Sequence, residues 1–153
     1  MRRTGLVVAL LALPRASSAQ TSVEREAAAL VAFARAATDR SPGVPFTFLR
    51  PTPTQPQLAT RAAAIDSLLV AAGVRFLASD RVSRGAGAAV LTSALVEDSS
   101  GDWRMLIEYQ WCNDGQVVRA RTIAHFACDE RDCHLTAEVP IAEYEPEPRP
   151  PCA

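Results

Sequence analysis

The four residues Asn113-Asp114-Gly115-Gln116 constrain this chain more tightly than any others. An Asp-Gly pair supplies the two positive-φ positions of a type I′ turn, whose twist suits the two antiparallel strands leaving it. Centring the turn there sets Trp111 opposite Val118, Tyr109 opposite Ala120, Ile107 opposite Thr122, Met105 opposite Ala124 and Trp103 opposite Phe126. The other face then carries Gln110 with Arg119, Glu108 with Arg121, Leu106 with Ile123 and Arg104 with His125. A slip of one residue would mix the apolar and polar sets, so the pattern specifies the register.

A second hairpin, with residues 129–132 as its loop, sets Cys128 opposite Cys133. It predicts Leu135, Ala137 and Val139 beside Phe126, Ala124 and Thr122 on the apolar face, with His125 opposite Thr136 and His134 opposite Ala127. The disulfides follow from this geometry. Direct cross-strand neighbours lie within bridging distance, so Cys128 pairs with Cys133. Cys112 sits at the far end of the ladder, about 36 Å from Cys128 at roughly 3.3 Å per residue, and cannot reach it. The strand after Cys133 returns towards Cys112, and the tail brings Cys152 there, which gives Cys112–Cys152. A zinc site on Cys128-x4-Cys133-His134 competes, but its spacing is unusual for that metal.

Upstream, the hydrophobic period is helical. Thr21-Ser22-Val23-Glu24 offers a capping box, and Val23, Ala27, Leu30, Ala34 and Ala37 recur on one face. Residues 40–57 hold five prolines and one glycine and read as an irregular connector, laid on the core by Phe46, Phe48 and Leu49. A second helix begins near Gln57, carries Leu58, Ala62, Ile65, Leu69 and Ala72 on one face, and stops at Gly73. From Val74 the period becomes two, predicting strands near 74–82, 88–97, 103–112, 117–127 and 134–143. The expected fold is α+β: two N-terminal helices on one face of a four- to five-stranded antiparallel meander, with two disulfides. That domain covers residues 20–142, followed by a Pro/Glu-rich tail, 143–153, tied down by Cys152.

Residues 1–19 read as a secretory signal peptide. Arg2 and Arg3 precede an apolar run from Leu6 to Leu13, and Ala16-Ser17-Ser18-Ala19 supplies the small-residue cleavage site. The run is too short to span a bilayer. Export to the periplasm or the medium places the four cysteines where they oxidise. All sixteen basic residues are arginines; without the leader, 13 remain against 17 acids, a formal charge of −4. That balance argues against nucleic acid or an anionic membrane surface as partner. The absence of lysine removes Schiff-base chemistry and any Ser-Lys dyad. No catalytic motif stands out and no cofactor is implied. Arg84-Gly85-Ala86-Gly87 precedes a strand rather than a helix, so it reads as a connector and not as a phosphate loop.

Four groups of residues invite a functional reading, each beside a plainer one. His125 and His134 become diagonal neighbours, with Asp129, Glu130 and Asp132 in the adjoining loop; that is a conceivable two-His, one-carboxylate metal site, or simply an exposed hairpin. Arg104, Arg119 and Arg121 share a polar face and could hold an anionic ligand, although Glu108 and Glu138 already offer them partners. Trp103, Tyr109 and Trp111, with Met105 and Phe126, form the core or, if the helices leave one end open, an apolar pocket anchored by the Tyr109 hydroxyl. Asp66 on the second helix is a candidate base if it points inward.

The order of two helices followed by an antiparallel meander resembles the cystatin-like and nuclear transport factor 2-like arrangements. That resemblance implies helices packed into the concave side of a curved sheet; function must still be argued from a site. The leading expectation is a non-enzymatic exported module that binds a protein partner or a small ligand. The alternative is a small hydrolase or isomerase with its pocket between helices and sheet, using Tyr109 and Asp66.

Overall fold

The Ser22 hydroxyl opens the first helix by accepting a hydrogen bond from the Arg25 N–H at 3.1 Å. Glu24 and Glu26 occupy its first turn and Arg40 its last, the placement the helix dipole favours. This is α1 (Val23–Arg40), in a computed structural model that describes residues 21–142 and 148–153. Residues 1–20, which include the expected signal peptide, and residues 143–147 of the tail lie outside the described residues. Thr21 does not form the expected capping box; its hydroxyl donates to the Leu95 carbonyl instead. Helix α2 (Pro56–Ala71) starts on a proline, whose missing N–H costs nothing at a first turn, and ends at Gly73 with φ +75°. Of its predicted apolar face only Ile65 and Leu69 are buried; Leu58 is 47% exposed. The α2 stripe in contact with the core is therefore narrow, and the buried Glu26 adds a link through Arg61 at 2.6 Å.

Among the described residues seven strands form one mixed sheet: β1 (Thr47–Leu49), β2 (Phe76–Leu77), β3 (Ala89–Thr92), β4 (Val96–Glu97), β5 (Trp103–Asn113), β6 (Gln116–Cys128) and β7 (Cys133–Ile141). Their order is β2-β1-β3-β5-β6-β7, with β4 also beside β5. This corrects the expected four- to five-stranded meander. The stretch read as a connector contains β1, which runs parallel to β2 and β3 and sends Phe48 and Leu49 into cores on opposite sides of the sheet. The expected strand 74–82 shrinks to two residues, since Ser79 turns the chain by donating its N–H to Leu77 and its hydroxyl to the Arg81 carbonyl. The expected strand 88–97 breaks around the buried Leu95, where Ser93 exchanges hydrogen bonds with Leu106.

The β5–β6 register matches the expectation residue for residue, around a turn with Asp114 at φ 50° and Gly115 at φ 77°. Between β6 and β7 the expected pairs Cys128/Cys133, Ala127/His134 and Phe126/Leu135 form, and then a bulge inserts Thr136. Beyond it His125 faces Ala137 rather than Thr136, Ala124 faces Glu138 rather than Ala137, and Thr122 faces Pro140 rather than Val139. One extra residue flips the parity of the rest of the strand. Val139 is left 48% exposed and Glu138 turns to the helix side.

The main core lies between helices and sheet around Leu30, Phe33, Phe48, Ile65, Ile107 and Phe126. A smaller one, on the other face, gathers Leu49, Val82, Ala89 and Val117. The chain end covers it: Val117 donates to the Pro150 carbonyl, Cys152 to that of Gly115, and Ala153 to that of Val82. Both expected disulfides, Cys112–Cys152 and Cys128–Cys133, are present. No described helix is long and apolar enough to cross a membrane.

Candidate binding groove

Because α2 buries so little of itself, apolar surface remains where the two helices end. A groove of about 650 Å³ opens between the C-terminal turns of α1 and α2 and residues 43–46. Phe46, Val74 and Ala34 give it an apolar lining, and Arg35, Asp39 and Arg75 supply its charges. A second depression of about 410 Å³ shares Val74 and Arg75 with the first and continues over Thr47, Val70, Phe76 and Leu77. Val44, Val70 and Leu77 around them are 52%, 63% and 48% exposed. Gly43 and Gly73 take positive φ beside the groove, with no atom within 4 Å of where a Cβ would stand.

The groove is close to electrical balance. Two helix C-termini direct partial negative charge towards it, and Asp39 adds one more anion. Arg35 and Arg75 oppose them. None of these three side chains joins an ion pair among the described residues. The site therefore suits an apolar partner of low net charge.

Beneath it runs an aromatic path. Phe46 meets Phe48 edge-on at 5.0 Å and Phe33 at 5.7 Å, and Phe33 lies 6.2 Å from Tyr109. The Tyr109 hydroxyl donates to Glu138 Oε1 at 2.6 Å, while the other carboxylate oxygen meets Arg40. Burial, followed by the adjacent Glu138 carboxylate, pushes the Tyr109 phenol well above its ordinary range, so it stays protonated and donates. Burial works against the Arg40 charge, but Glu138 outweighs it and the pKa rises.

The residues singled out from sequence occupy several settings. Trp103 is buried, with the Arg25 guanidinium 4.7 Å above its ring. Trp111, on the same face of β5 beyond Tyr109, is 38% exposed. Arg104 pairs with Asp98 at 3.2 Å, and Arg119 and Arg121 approach Glu108 at 3.5 and 2.6 Å. His134 is exposed and lies 3.6 Å from Asp132. His125 sits across from Ala137, and among the described residues no three His, Cys, Asp or Glu side chains gather as a metal cluster. The Asp129 carboxylate instead accepts the N–H groups of Arg131 and Asp132, which hold its pKa below the usual carboxylate range. Asp66 accepts from Arg50 at 2.8 Å. Neither Asp66 nor Tyr109 lines the groove.

Sequence reasoning missed Arg35, Asp39, Phe46, Val74 and Arg75 as a site, and Arg40 and Glu138 as partners of Tyr109. Comparison with known protein families, with curated proteins and with solved structures finds no match.

Proposed function

We propose that this chain is an exported, disulfide-stapled binding module, without catalytic activity of its own, whose site is the groove at the helix ends. The observation that carries this reading is the continuous apolar surface formed by the two depressions, rimmed by charges left out of the ion-pair network. On the sheet, by contrast, Glu108 engages Gln110 and Arg121. The enzymatic alternative needed Tyr109 and Asp66 in one pocket, and each is committed to a different partner.

The test uses Nile red, a neutral apolar dye, on the oxidised protein. Its emission should rise and shift to the blue with wild-type protein. The rise should be lost with Val44→Asp and with Ala72→Trp, which places a ring over the exposed end of α2, while the unfolding midpoint stays unchanged. Equal enhancement by both variants refutes the groove as the site.

A further inference from the structure

Resting on the groove as the binding site, we propose that its occupant is an extended polypeptide segment, apolar at alternate positions, which adds as a strand to the open edge of β2. Among the described residues the sheet ends at β2, whose one neighbour there is β1. Arg75 and Leu77 turn their carbonyls to β1, accepting from Phe48 at 3.0 Å and Arg50 at 2.7 Å. Phe76 lies between them, in register with Phe48, so its own N–H and C=O point away from the sheet. The Val74 N–H is already taken by Leu69. Phe76 therefore presents the first unused donor, and Ala78 has the same parity.

An incoming strand would send successive side chains to opposite faces. The two depressions share Val74 and Arg75 and together wrap the edge of β2. The groove receives one set over Val74 and Phe46. The other set meets Leu77 and Arg75, which share the parity of Leu49 on the opposite face of the sheet and line the second depression together with the helix-side Val70 and Phe76. Backbone hydrogen bonds combined with alternating side-chain pockets are the recurring means of recognising an extended segment. The near balance of charge in the groove selects uncharged apolar residues on the inner side. Arg75, exposed and outside the ion pairs, selects an acidic residue on the other.

The two edges of the sheet contrast. Free edges invite unwanted pairing, and proteins guard them with bulges, prolines and inward-facing charges. The β7 edge carries all three, in the bulge at Thr136, in Pro140 and in Glu138. The β2 edge carries none of these; its guard is its two-residue length, and exposed Val70 and Leu77 flank it.

A displayed library of heptapeptides with apolar residues at alternate positions, selected against the oxidised wild-type protein, tests this. Enriched peptides should slow hydrogen exchange of the Phe76 amide by on the order of tenfold or more, and should lose about tenfold in affinity with Val44→Asp or Val70→Asp protein. Each enriched peptide is then N-methylated at either its odd or its even positions. Strand addition requires one methylated form to fail and the other to bind. Equal binding by both forms, with dependence on Val44 retained, keeps the groove and overturns strand addition. Enriched peptides indifferent to both variants overturn the groove as well, whereas a library that yields no binder beyond a shuffled, non-alternating control overturns strand addition and leaves the groove to the Nile red test. Protection of Phe76 that grows with protein concentration in the absence of peptide assigns the edge to a second copy and overturns the proposal.

Discussion

Removing the two disulfides separately should expose a difference set by loop length. Cys112 and Cys152 are 40 residues apart, whereas Cys128 and Cys133 are 5 apart. The loop-closure entropy withheld from the unfolded chain gives about 4 kcal/mol for the long loop and about 2 for the short one. Cys133 is buried, so its replacement by alanine adds a packing loss of at most about 1 kcal/mol. Cys112→Ala/Cys152→Ala should therefore cost more than Cys128→Ala/Cys133→Ala by at least about 1 kcal/mol. Urea unfolding of the two double variants measures this directly, and the long-loop variant should also show the steeper denaturant dependence as its unfolded state expands. With a total stability of about 5–15 kcal/mol, the larger loss would leave the domain marginal. The reasoning fails if the short-loop variant is the less stable, or if the long-loop variant loses under about 1 kcal/mol.

Tyr109→Phe strips Glu138 of its phenolic donor and should cost about 1–2 kcal/mol in urea unfolding, with a double-mutant cycle to Glu138→Gln showing coupling of about 1 kcal/mol. Because the folded pKa of Tyr109 is raised, its contribution is fully present below the ordinary tyrosine value of 10.0 and is lost as pH rises beyond it. In a Tyr144→Phe background, phenolate absorbance at alkaline pH should appear only together with unfolding. Asp129 has the opposite sign: its folded pKa is lowered, so its ordering of the hairpin loop is present above the ordinary carboxylate range and is lost as pH falls through the depressed value. Amide exchange at Arg131 and Asp132 should accelerate across that acid window, and Asp129→Asn should remove the dependence.

What could be read from sequence had a local cause. Asp114-Gly115 names its turn type, two long alternating strands leave it, and the register then places four cysteines in two pairs. The missed features lacked any such mark. β1 is three residues long, flanked by prolines, and its partners Phe76 and Val90 are remote in sequence and parallel to it. A run that short carries no periodicity, so only the tertiary fold identifies it. The bulge falls at Thr136, a good strand former that gives no sign of an extra residue, and every pairing expected beyond it moves by one. The groove draws on α1, the turn after it, the end of α2 and the segment before β2. Nothing in the sequence brings those four together.

The bulge nevertheless has a structural consequence at the groove. Without it, Ala137 and Val139 would lie on the helix side, and the half-buried Tyr109 hydroxyl would lose its acceptor. With it, Glu138 occupies that side and engages both Tyr109 and Arg40. Arg40 closes the last turn of α1, the helix that lends Arg35, Thr38 and Asp39 to the groove. The wall of the groove is thus fastened from behind: by an ion pair to β7 on one flank and by Phe33 against Phe46 and Tyr109 beneath. A partner entering such a groove meets a wall already ordered, so little conformational entropy is lost in forming the site. The exposed apolar area given up at Val139 is offset by a hydrogen-bonded cluster, part-buried at Tyr109 and Glu138, that holds the binding face in place.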